Sequence, residues 1–202
     1  MEGPQERIAA VVLAAGRSSR MGRPKMALPW GDTTVIGQVV RTILAAEIET
    51  IIVVTGASQQ AVSEALRGFT ISLVHNPAYQ SGEMLSSIQT GLTALSPEVV
   101  AALVFLGDQP LVQPEVIRSI CSDYSSSPKE IIIPSYQGRR WHPLLIDRAL
   151  WPAVLALRHP ATLRDFINSH PERIAYTPVQ TDSVLRDLDT PDDYRTAHPE
   201  KQ

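Results

Sequence analysis

Positive charge is concentrated in one short stretch near the start of the sequence. Four cations lie between residues 16 and 25, namely Arg17, Arg20, Arg23 and Lys25, and no acid interrupts them. The whole chain, by contrast, has a net charge of −3. Small residues at 14–16 let a ligand approach the backbone closely, and successive N–H groups of such a turn bind anions. The stretch predicts a polyphosphate-binding loop; a solvated basic surface loop is the alternative.

Two familiar phosphate-binding motifs are absent from this loop. The dinucleotide fingerprint Gly-x-Gly-x-x-Gly is not met, because only Gly16 and Gly22 are present. A P-loop ends in Gly-Lys-Ser/Thr, whereas Gly22 is followed by Arg23 and Pro24. A simple ATPase or a NAD enzyme is therefore disfavoured.

A carboxylate that could hold a metal follows another apolar run. Asp108 stands in Leu106-Gly-Asp-Gln-Pro110, at the carboxyl end of a predicted strand. Mg²⁺ in proteins takes one or two carboxylates together with phosphate oxygens and water, so Asp108 is a candidate ligand. From spacing alone, a turn residue ahead of Pro110 is an equally good interpretation.

A second group of acids lies near the end of the sequence. Asp187 and Asp189 are two residues apart and share a face of an extended segment, so either could join Asp108 on a metal. The acids at 192–193 have a simpler explanation. They fall in the first turn of a helix whose predicted N-cap is Thr190, where the helix dipole favours negative charge.

Two further segments carry polar groups suited to binding. Residues 76–91 form a polar stretch that runs into a helix, and the hydroxyls of Ser86 and Ser87 suit a base edge or a ribose. Helix capping by Ser81 is the plainer interpretation of this stretch. Residues 138–143 read Gly-Arg-Arg-Trp-His-Pro, and the cations and the histidine could hold a second, anionic substrate.

Secondary-structure patterns place these groups together. Short apolar runs alternate with helical periodicity, which indicates βαβ units and a mostly parallel sheet with helices on both faces. Predicted strands are 7–13, 50–55, 69–74, 101–106, 130–134, 144–146 and 174–179, and predicted helices are 34–46, 59–66, 84–95, 114–122, 150–157, 162–168 and 192–197. Such sheets bind ligands beyond the carboxyl ends of their strands. The Gly16 loop, Thr55-Gly56 and Asp108 are therefore expected at one site.

Length and composition set the broader class. The 202 residues, 44% hydrophobic and 19% charged, fit one domain over 1–202, with frayed ends at 1–6 and 198–202. The acidic balance argues against a nucleic-acid or membrane partner, and the apolar run 8–15 is too short to span a bilayer. The single cysteine, Cys121, excludes an internal disulfide. We expect a cytoplasmic protein, and the sequence does not determine its oligomeric state.

Four blocks of the sequence resemble the MobA-like nucleotidyltransferase family. The loop Leu13-Ala-Ala-Gly-Arg-Ser-Ser-Arg-Met-Gly-Arg-Pro-Lys25 is similar to the family signature, and its Ala15-Gly16 pair favours the cytidylyl over the guanylyl branch. The other blocks are Gly107-Asp-Gln-Pro110, the Gly/Ser pattern at 82–92, and Asp187-Leu-Asp-Thr-Pro-Asp-Asp-Tyr194. The resemblance implies a three-layer Rossmann-like nucleotidyltransferase fold, mostly parallel with one reversed strand.

The resemblance also implies roles for individual residues. Lys25, Arg20 and Asp108 would be catalytic, and Asp108 and Asp189 would hold Mg²⁺. The family shows Gly-His-Pro in its acceptor pocket, where this chain has Trp141 instead of the glycine. The implied acceptor-binding residues are Gln109, Arg140 and His142. The implied nucleotide-binding residues are Leu13, Ala14, Ala15, Gly16, Arg17, Ser18, Gly22, Lys25, Thr55, Gly56, Asn76, Ser81, Gly82, Ser86 and Ser87.

The implied activity is a Mg²⁺-dependent transfer of CMP from CTP to a phosphorylated small molecule, molybdopterin, with release of pyrophosphate. Two alternatives stay open. The acceptor could be a sugar 1-phosphate or another small phosphate, or the chain could be a non-catalytic nucleotide-binding accessory protein of molybdoenzyme maturation. A molybdoenzyme or a maturation protein is a candidate partner.

Overall fold

The computed structural model describes residues 7–80, 83–140 and 142–199. The strands are β1 (Ile8–Ala14), β2 (Pro29–Trp30), β3 (Thr33–Thr34), β4 (Ile51–Thr55), β5 (Ser72–His75), β6 (Ala101–Leu106), β7 (Ile131–Tyr136), β8 (Arg139–Arg140), β9 (Leu144–Asp147) and β10 (Ile174–Pro178). The α-helices are α1 (Val35–Ala45), α2 (Gln59–Ala65), α3 (Glu83–Thr93), α4 (Pro114–Ser126), α5 (Trp151–Ala156), α6 (Leu163–Asn168) and α7 (Pro191–Ala197). None of these helices has the length and apolar character needed to cross a membrane.

An eight-stranded sheet confirms the predicted α/β class. Its order is β10-β7-β9-β6-β1-β4-β5, with β8 paired to β7, while β2 and β3 form a separate hairpin. The reversed strand that the resemblance implied is β9, which runs antiparallel to β6 and β7. The short strand β8 is also antiparallel, and the sequence analysis missed it. Gln137 and Gly138 both have positive φ and reverse the chain direction. Arg139 and Arg140 of β8 therefore pair with β7.

Helices cover both faces of this sheet, as predicted. All seven residues of β1 are buried, which is typical of a strand covered on both faces. On one face, Val12 shares a buried cluster with Ile43 of α1 and Ile117 of α4. On the other face, Val11 shares a cluster with Ile88 of α3. The core therefore fixes β1 from both sides, and the loop that leaves β1 starts from a rigid point.

The carboxyl ends of β1, β4 and β6 lie side by side, because β1 pairs in parallel with both neighbours. The Gly107 N–H donates to the Leu13 carbonyl at 3.0 Å. A Cβ atom on Gly107 would lie 2.7 Å from Ile36 Cδ1, and one on Gly56 would lie 2.5 Å from the Ala15 carbonyl oxygen. Glycine is needed at both positions. A side chain at Gly56 would strike the loop after β1, and one at Gly107 would strike Ile36 of α1.

A third buried cluster lies beside the main core. It contains Met21 of the loop after β1, Trp30 of the β2–β3 hairpin, and Leu188 and Ala197 near the end of the chain. The cluster anchors the cationic loop and the segment ahead of α7 to the same apolar patch. Two chain segments that carry candidate site residues are thereby held together.

Two element boundaries differ from the sequence prediction by three or more residues. β5 covers Ser72–His75 rather than 69–74, because the Phe69 N–H donates to the Leu66 carbonyl at 3.1 Å and the Ile71 N–H to the Phe69 carbonyl at 3.1 Å, which keeps this segment in the turn after α2. α4 continues to Ser126 rather than to 122, and the Ser126 hydroxyl donates to the Ser122 carbonyl at 3.0 Å. Serine hydroxyls that bond back to a carbonyl in this way are compatible with a helix, although serine often marks a loop.

Replacement of Gly91 by alanine should destabilise the fold without touching the site. A Cβ atom there would lie 2.2 Å from Val11 Cγ1, so α3 would be pushed away from β1. Overpacking of this kind costs about 1–3 kcal/mol. Urea unfolding should report this loss for Gly91→Ala. Gly16→Ala is the matched control, since its Cβ would meet nothing within 4 Å; equal unfolding midpoints for both variants would contradict the packing described here.

Candidate functional site

The cationic loop leaves β1 in a conformation set by two left-handed residues. Ser18 has φ 51° and Gly22 has φ 65°. The Ser18 hydroxyl accepts the backbone N–H of Lys25 at 3.2 Å, which closes the loop on itself. Met21 points into the third cluster, so the side chain of Arg20 is directed outward and is 69% exposed. The predicted loop is therefore an ordered turn with exposed cations.

Lys25 turns inward from this loop and lies between two carboxylates. Its Nζ donates to Asp108 Oδ2 and, at 3.1 Å, to Asp189 Oδ1. Arg20 reaches the other oxygen of Asp189, at 3.1 Å. The Lys25 and Asp108 side chains are each only 12% exposed, which keeps this pair largely out of solvent. Three segments that are distant in sequence thus meet at one ammonium group.

The charge state of Lys25 follows from these contacts. Burial acts to lower the pKa of the ammonium, but the Asp108 and Asp189 carboxylates outweigh it and raise that pKa above its ordinary value. Lys25 is therefore cationic at neutral pH. It can neutralise the carboxylates, or anionic oxygens of a ligand that replaces them.

Asp189 is held from its carboxyl-terminal side by the cap of α7. The predicted N-cap Thr190 is confirmed: its hydroxyl accepts the Asp193 N–H at 3.2 Å, and the Asp193 carboxylate accepts the Thr190 N–H at 2.7 Å. The same carboxylate accepts the Asp189 N–H at 3.2 Å. The Tyr194 hydroxyl donates to the Pro29 carbonyl and ties α7 to the hairpin. The backbone that carries Asp189 is fixed by these bonds.

Asp187 is hydrogen-bonded to Gln109 rather than to Lys25. Gln109 Nε2 donates to Asp187 Oδ1 at 2.6 Å. Burial, followed by repulsion from the Asp108 carboxylate, raises the pKa of Asp187 to about 6, although the Gln109 hydrogen bond acts against that shift. The two carboxylates that the sequence could not separate therefore differ. Asp189 shares a cation with Asp108, whereas Asp187 bonds to an amide.

The polar residues predicted to contact a nucleotide base have internal roles in this structure. Asn76 is buried, and its Nδ2 donates to Ser86 Oγ at 2.8 Å and to Ser87 Oγ at 3.0 Å. The Thr55 hydroxyl donates to the Val74 carbonyl at 3.3 Å. These bonds hold the end of β4 and the start of α3 in place beside the loop after β1. Two more predicted contacts, Ser81 and Gly82, lie outside the described residues.

An amphipathic cavity of about 390 Å³ has His142 in its wall, and the charge of the Asp108 carboxylate acts on that histidine. Its apolar wall comes from α3, α6 and two strands, and its polar groups include two arginines. The lining residues are Met84, Ile133, Arg140, His142, Leu144, Leu163, Arg164, Ile167 and Asn168. A cavity of this size and character fits a small molecule that has both an apolar part and negative charge.

The acceptor-binding residues expected from the sequence are only partly brought together here. Arg140 and His142 line the cavity, whereas Gln109 does not, because its side chain is buried against Asp187 and the Val184 carbonyl. Sequence reasoning missed Arg164, whose position in an ordinary helical pattern gave no signal. Trp141, which replaces the family's glycine, lies outside the described residues.

His142 is a neutral group rather than a cation in this cavity. Its Nδ1 donates to the Val104 carbonyl at 3.1 Å. Burial lowers the pKa of His142, and this effect exceeds the opposing ones of the Val104 hydrogen bond and the Asp108 carboxylate. Positive charge in the cavity therefore comes from Arg140 and Arg164. The Arg140 guanidinium also lies over the Tyr176 ring, 5.1 Å from its centroid.

The donor set beside Lys25 fits a hard divalent cation. Oxygens of Asp108 and Asp189 converge on one point, at present the Lys25 ammonium. Across residues 7–80, 83–140 and 142–199 there is no metal-competent group of three or more His, Cys, Asp or Glu residues. Two carboxylates match the way Mg²⁺ is held when substrate phosphates and water complete its shell.

Transfer of a nucleotidyl group needs little covalent chemistry from a protein, because positioning and charge neutralisation supply the rate. Cations at the end of β1, two convergent carboxylates and a cavity lined by two arginines are groups suited to both tasks. The fold and the site define a nucleotidyltransferase. The chain belongs to the MobA-like NTP transferase family, whose domain model matches residues 10–174.

Known proteins of similar sequence and structure cover almost the whole chain. The molybdenum cofactor cytidylyltransferase of Escherichia coli K12 is 28% identical over 94% of this chain and 95% of its own. Nicotine blue oxidoreductase of Paenarthrobacter nicotinovorans is 30% identical over 91% and 92%. The crystal structure of Rv0371c from Mycobacterium tuberculosis H37Rv matches with a TM-score of 0.81 and 30% identity, covering 95% of this chain and 97% of that one. A further structure of Rv0371c is a complex with manganese, with a TM-score of 0.77, 29% identity and coverage of 95% and 98%.

Replacement of Asp187 by asparagine should change the pH dependence of stability. The raised pKa means that ionised Asp187 destabilises the folded chain above about pH 6, and the penalty disappears as the pH falls below the unfolded value, roughly 4. In EDTA, Asp187→Asn should therefore be more stable than the parent chain at pH 8, by about 1–2 kcal/mol. The two should converge at pH 4.

Urea unfolding at a series of pH values measures this difference. Asp182→Asn, at an exposed carboxylate on the preceding turn, is the matched control and should follow the parent chain. An Asp187→Asn variant that is less stable at pH 8 would show that the ionised carboxylate is stabilising instead.

Proposed function

We propose that this nucleotidyltransferase transfers CMP from CTP to a phosphorylated small molecule, with molybdopterin as the acceptor, and releases pyrophosphate. The observation that carries the proposal is the Lys25 ammonium between Asp108 and Asp189, at the end of a cationic loop. The Ala15-Gly16 pair and the similarity to a molybdenum cofactor cytidylyltransferase support cytidine and this acceptor.

The loop after β1 would bind the triphosphate. A Cβ atom on Gly16 would meet nothing within 4 Å, so phosphate oxygens can approach its backbone. The exposed guanidinium of Arg20 would neutralise phosphate charge from the solvent side. Leu13, Ala14 and Ala15 would form the floor at the end of β1, and Arg17, Ser18 and Gly22 are the remaining proposed contacts of the loop. Thr55, Gly56, Asn76, Ser86 and Ser87 would contribute by holding the neighbouring segments in place.

Asp108 and Asp189 would hold Mg²⁺ on the phosphates. When bound there, the ion supplies charge neutralisation and a template for the triphosphate. Asp108 leaves β6 at a point fixed by Gly107, and Asp189 is fixed by the cap of α7, so neither carboxylate needs to be reorganised. Such preorganisation is what makes electrostatic catalysis effective.

Lys25 would exchange partners during binding. In the structure its ammonium neutralises the two carboxylates that we assign to the metal. A cation that binds these oxygens repels the ammonium, and triphosphate oxygens offer it new partners nearby. Lys25 would then stabilise the charge on the departing pyrophosphate.

The acceptor would bind in the adjacent cavity. Its apolar wall suits a flat ring system, while Arg140 and Arg164 suit a phosphate. An oxygen of the acceptor phosphate attacks the α-phosphorus of CTP and forms a new P–O bond. The bond to the oxygen between the α- and β-phosphorus breaks, and pyrophosphate leaves with that electron pair. No general base is required, because the phosphate acceptor is already ionised.

Nucleotide binding and pyrophosphate release test this function in two steps. A thermal-shift panel of ATP, GTP, CTP and UTP, each with and without Mg²⁺, should give the largest rise for CTP with Mg²⁺, since a ligand that binds the folded state stabilises it by mass action. Pyrophosphate should then be released only when molybdopterin is added. A largest shift for UTP would favour a sugar phosphate acceptor. Nucleotide binding with no pyrophosphate from any acceptor would indicate an accessory protein. Either this result or a largest shift for UTP would overturn the proposal.

Replacement of Lys25 by methionine should have opposite effects on metal binding and on turnover. Turnover should fall by about 10²–10³-fold, as when one preorganised donor is removed from an anionic transition state. Affinity for Mn²⁺ alone should rise on the order of tenfold, because the metal no longer competes with the ammonium for Asp108 and Asp189.

Electron paramagnetic resonance of free Mn²⁺ measures this affinity without any turnover. Lys129→Met, at a lysine distant from the site, is the matched control and should bind Mn²⁺ as the parent chain does. Weaker Mn²⁺ binding by Lys25→Met would contradict the exchange of partners.

A further inference from the structure

Two neighbouring hydrogen bonds join the loop after β6 to the segment that carries Asp189. The Leu188 N–H donates to the Asp108 carbonyl at 3.0 Å. Next to it, the Gln109 side-chain amide donates to Asp187 at 2.6 Å. Residue 108 is thereby joined to residue 188 by a backbone hydrogen bond, and residue 109 to residue 187 by a side-chain hydrogen bond. These bonds set how far the Asp189 backbone lies from Asp108.

The Gln109 side chain is committed to this contact. It is 1% exposed, and its Nε2 also donates to the Val184 carbonyl at 3.3 Å. Its Oε1 is buried and has no hydrogen-bond partner among the described residues. A buried acceptor without a partner is destabilising, so a residue chosen only for stability at this position would be apolar. The amide is better explained by its contact with Asp187.

The contact opposes a repulsion built into the site. Asp108, Asp187 and Asp189 are close enough for the charges of the other two to act on Asp187. Repulsion of this kind pushes the segment 187–189 away from the loop after β6. The cap of α7 restrains Asp189 from one side, through Asp193. On the other side, the Leu188–Asp108 backbone bond and the Lys25 ammonium act together with Gln109, and Gln109 is the contact that fixes Asp187.

We propose that Gln109 is a positioning residue for the divalent metal ion. Through Asp187 it holds the backbone of Asp189 at the distance from Asp108 at which both carboxylates can bind one ion. This inference rests on the proposed function, since that function assigns the metal to Asp108 and Asp189. It also replaces the expected role of Gln109 in binding the acceptor.

Mn²⁺ titration of the full chain, followed by electron paramagnetic resonance, tests the inference without turnover. Gln109→Leu removes the donor with little change in volume and should weaken Mn²⁺ binding by about 10–100-fold, as is usual for residues that orient metal ligands. Asp187→Ala removes the acceptor from the other side and should give a similar loss. Asp187→Asn keeps an oxygen that accepts from Gln109 and should bind Mn²⁺ clearly more tightly than Asp187→Ala, with only the small loss that follows from removing one nearby negative charge.

Two controls separate this inference from the function on which it rests. Gln60→Leu makes the same chemical change at an exposed position of α2 and should leave Mn²⁺ binding unchanged. Asp108→Asn should abolish binding, and normal binding by this variant would overturn the metal assignment itself. If Asp108→Asn loses the metal while Gln109→Leu and Asp187→Ala retain it, the positioning role is wrong and the proposed function stands. Loss of Mn²⁺ by Asp187→Asn would make Asp187 a ligand and would also overturn the inference.

Nucleotide binding in EDTA distinguishes positioning from general disruption. Gln109→Leu should bind CTP without metal as the parent chain does, because the side-chain hydrogen bonds of Gln109 go to Asp187 and the Val184 carbonyl and not to the loop after β1. Parallel loss of metal-free CTP binding and of Mn²⁺ binding would show that the substitution damages the whole site, and would overturn the specific role in metal positioning.

Discussion

The ion pairs of the Lys25 ammonium with Asp108 and Asp189 are the interaction on which the site depends. The loop after β1, the loop after β6 and the segment ahead of α7 all meet at this ammonium, and two of them bring negative charge. Carboxylates this close repel each other strongly when they are shielded from water. A cation between them is therefore a condition for assembling the site. The ammonium that satisfies this condition is also the charge that a triphosphate would use.

Backbone geometry brings the three segments within reach of that ammonium. The parallel pairing of β1 with β4 and β6 aligns the carboxyl ends of these strands. Gly56 and Gly107 then allow the loops after β4 and β6 to pack against the end of β1. Met21 and Leu188 then share one apolar cluster, so the segments on both sides of Lys25 have a common anchor. The electrostatic contact is precise because the apolar contacts around it leave the chain little freedom.

Local patterns in the sequence were enough to predict most of the fold and the sheet edge at which the candidate residues meet. The apolar run of β1, the glycine that follows it and the Thr190 cap are encoded by adjacent residues, and all are present. Contacts between distant residues were not predictable in this way. Lys25 and Asp189 are 164 residues apart, and no local pattern indicates that they pair. Arg164 reaches the cavity from an ordinary amphipathic helix, where an arginine normally faces solvent.

The chemistry of Gln109 shows why the remaining detail depends on tertiary structure. A polar residue after Asp108 suggests a ligand contact, yet the fold buries it against Asp187. A lysine at this position would bind Asp187 more strongly, but it would place a second ammonium beside Asp108 and compete for the same oxygens. A neutral amide restrains the segment and adds no charge. The carboxylates of Asp108 and Asp189 then remain available to Lys25 and to a divalent ion, which is the arrangement that the proposed transfer would use.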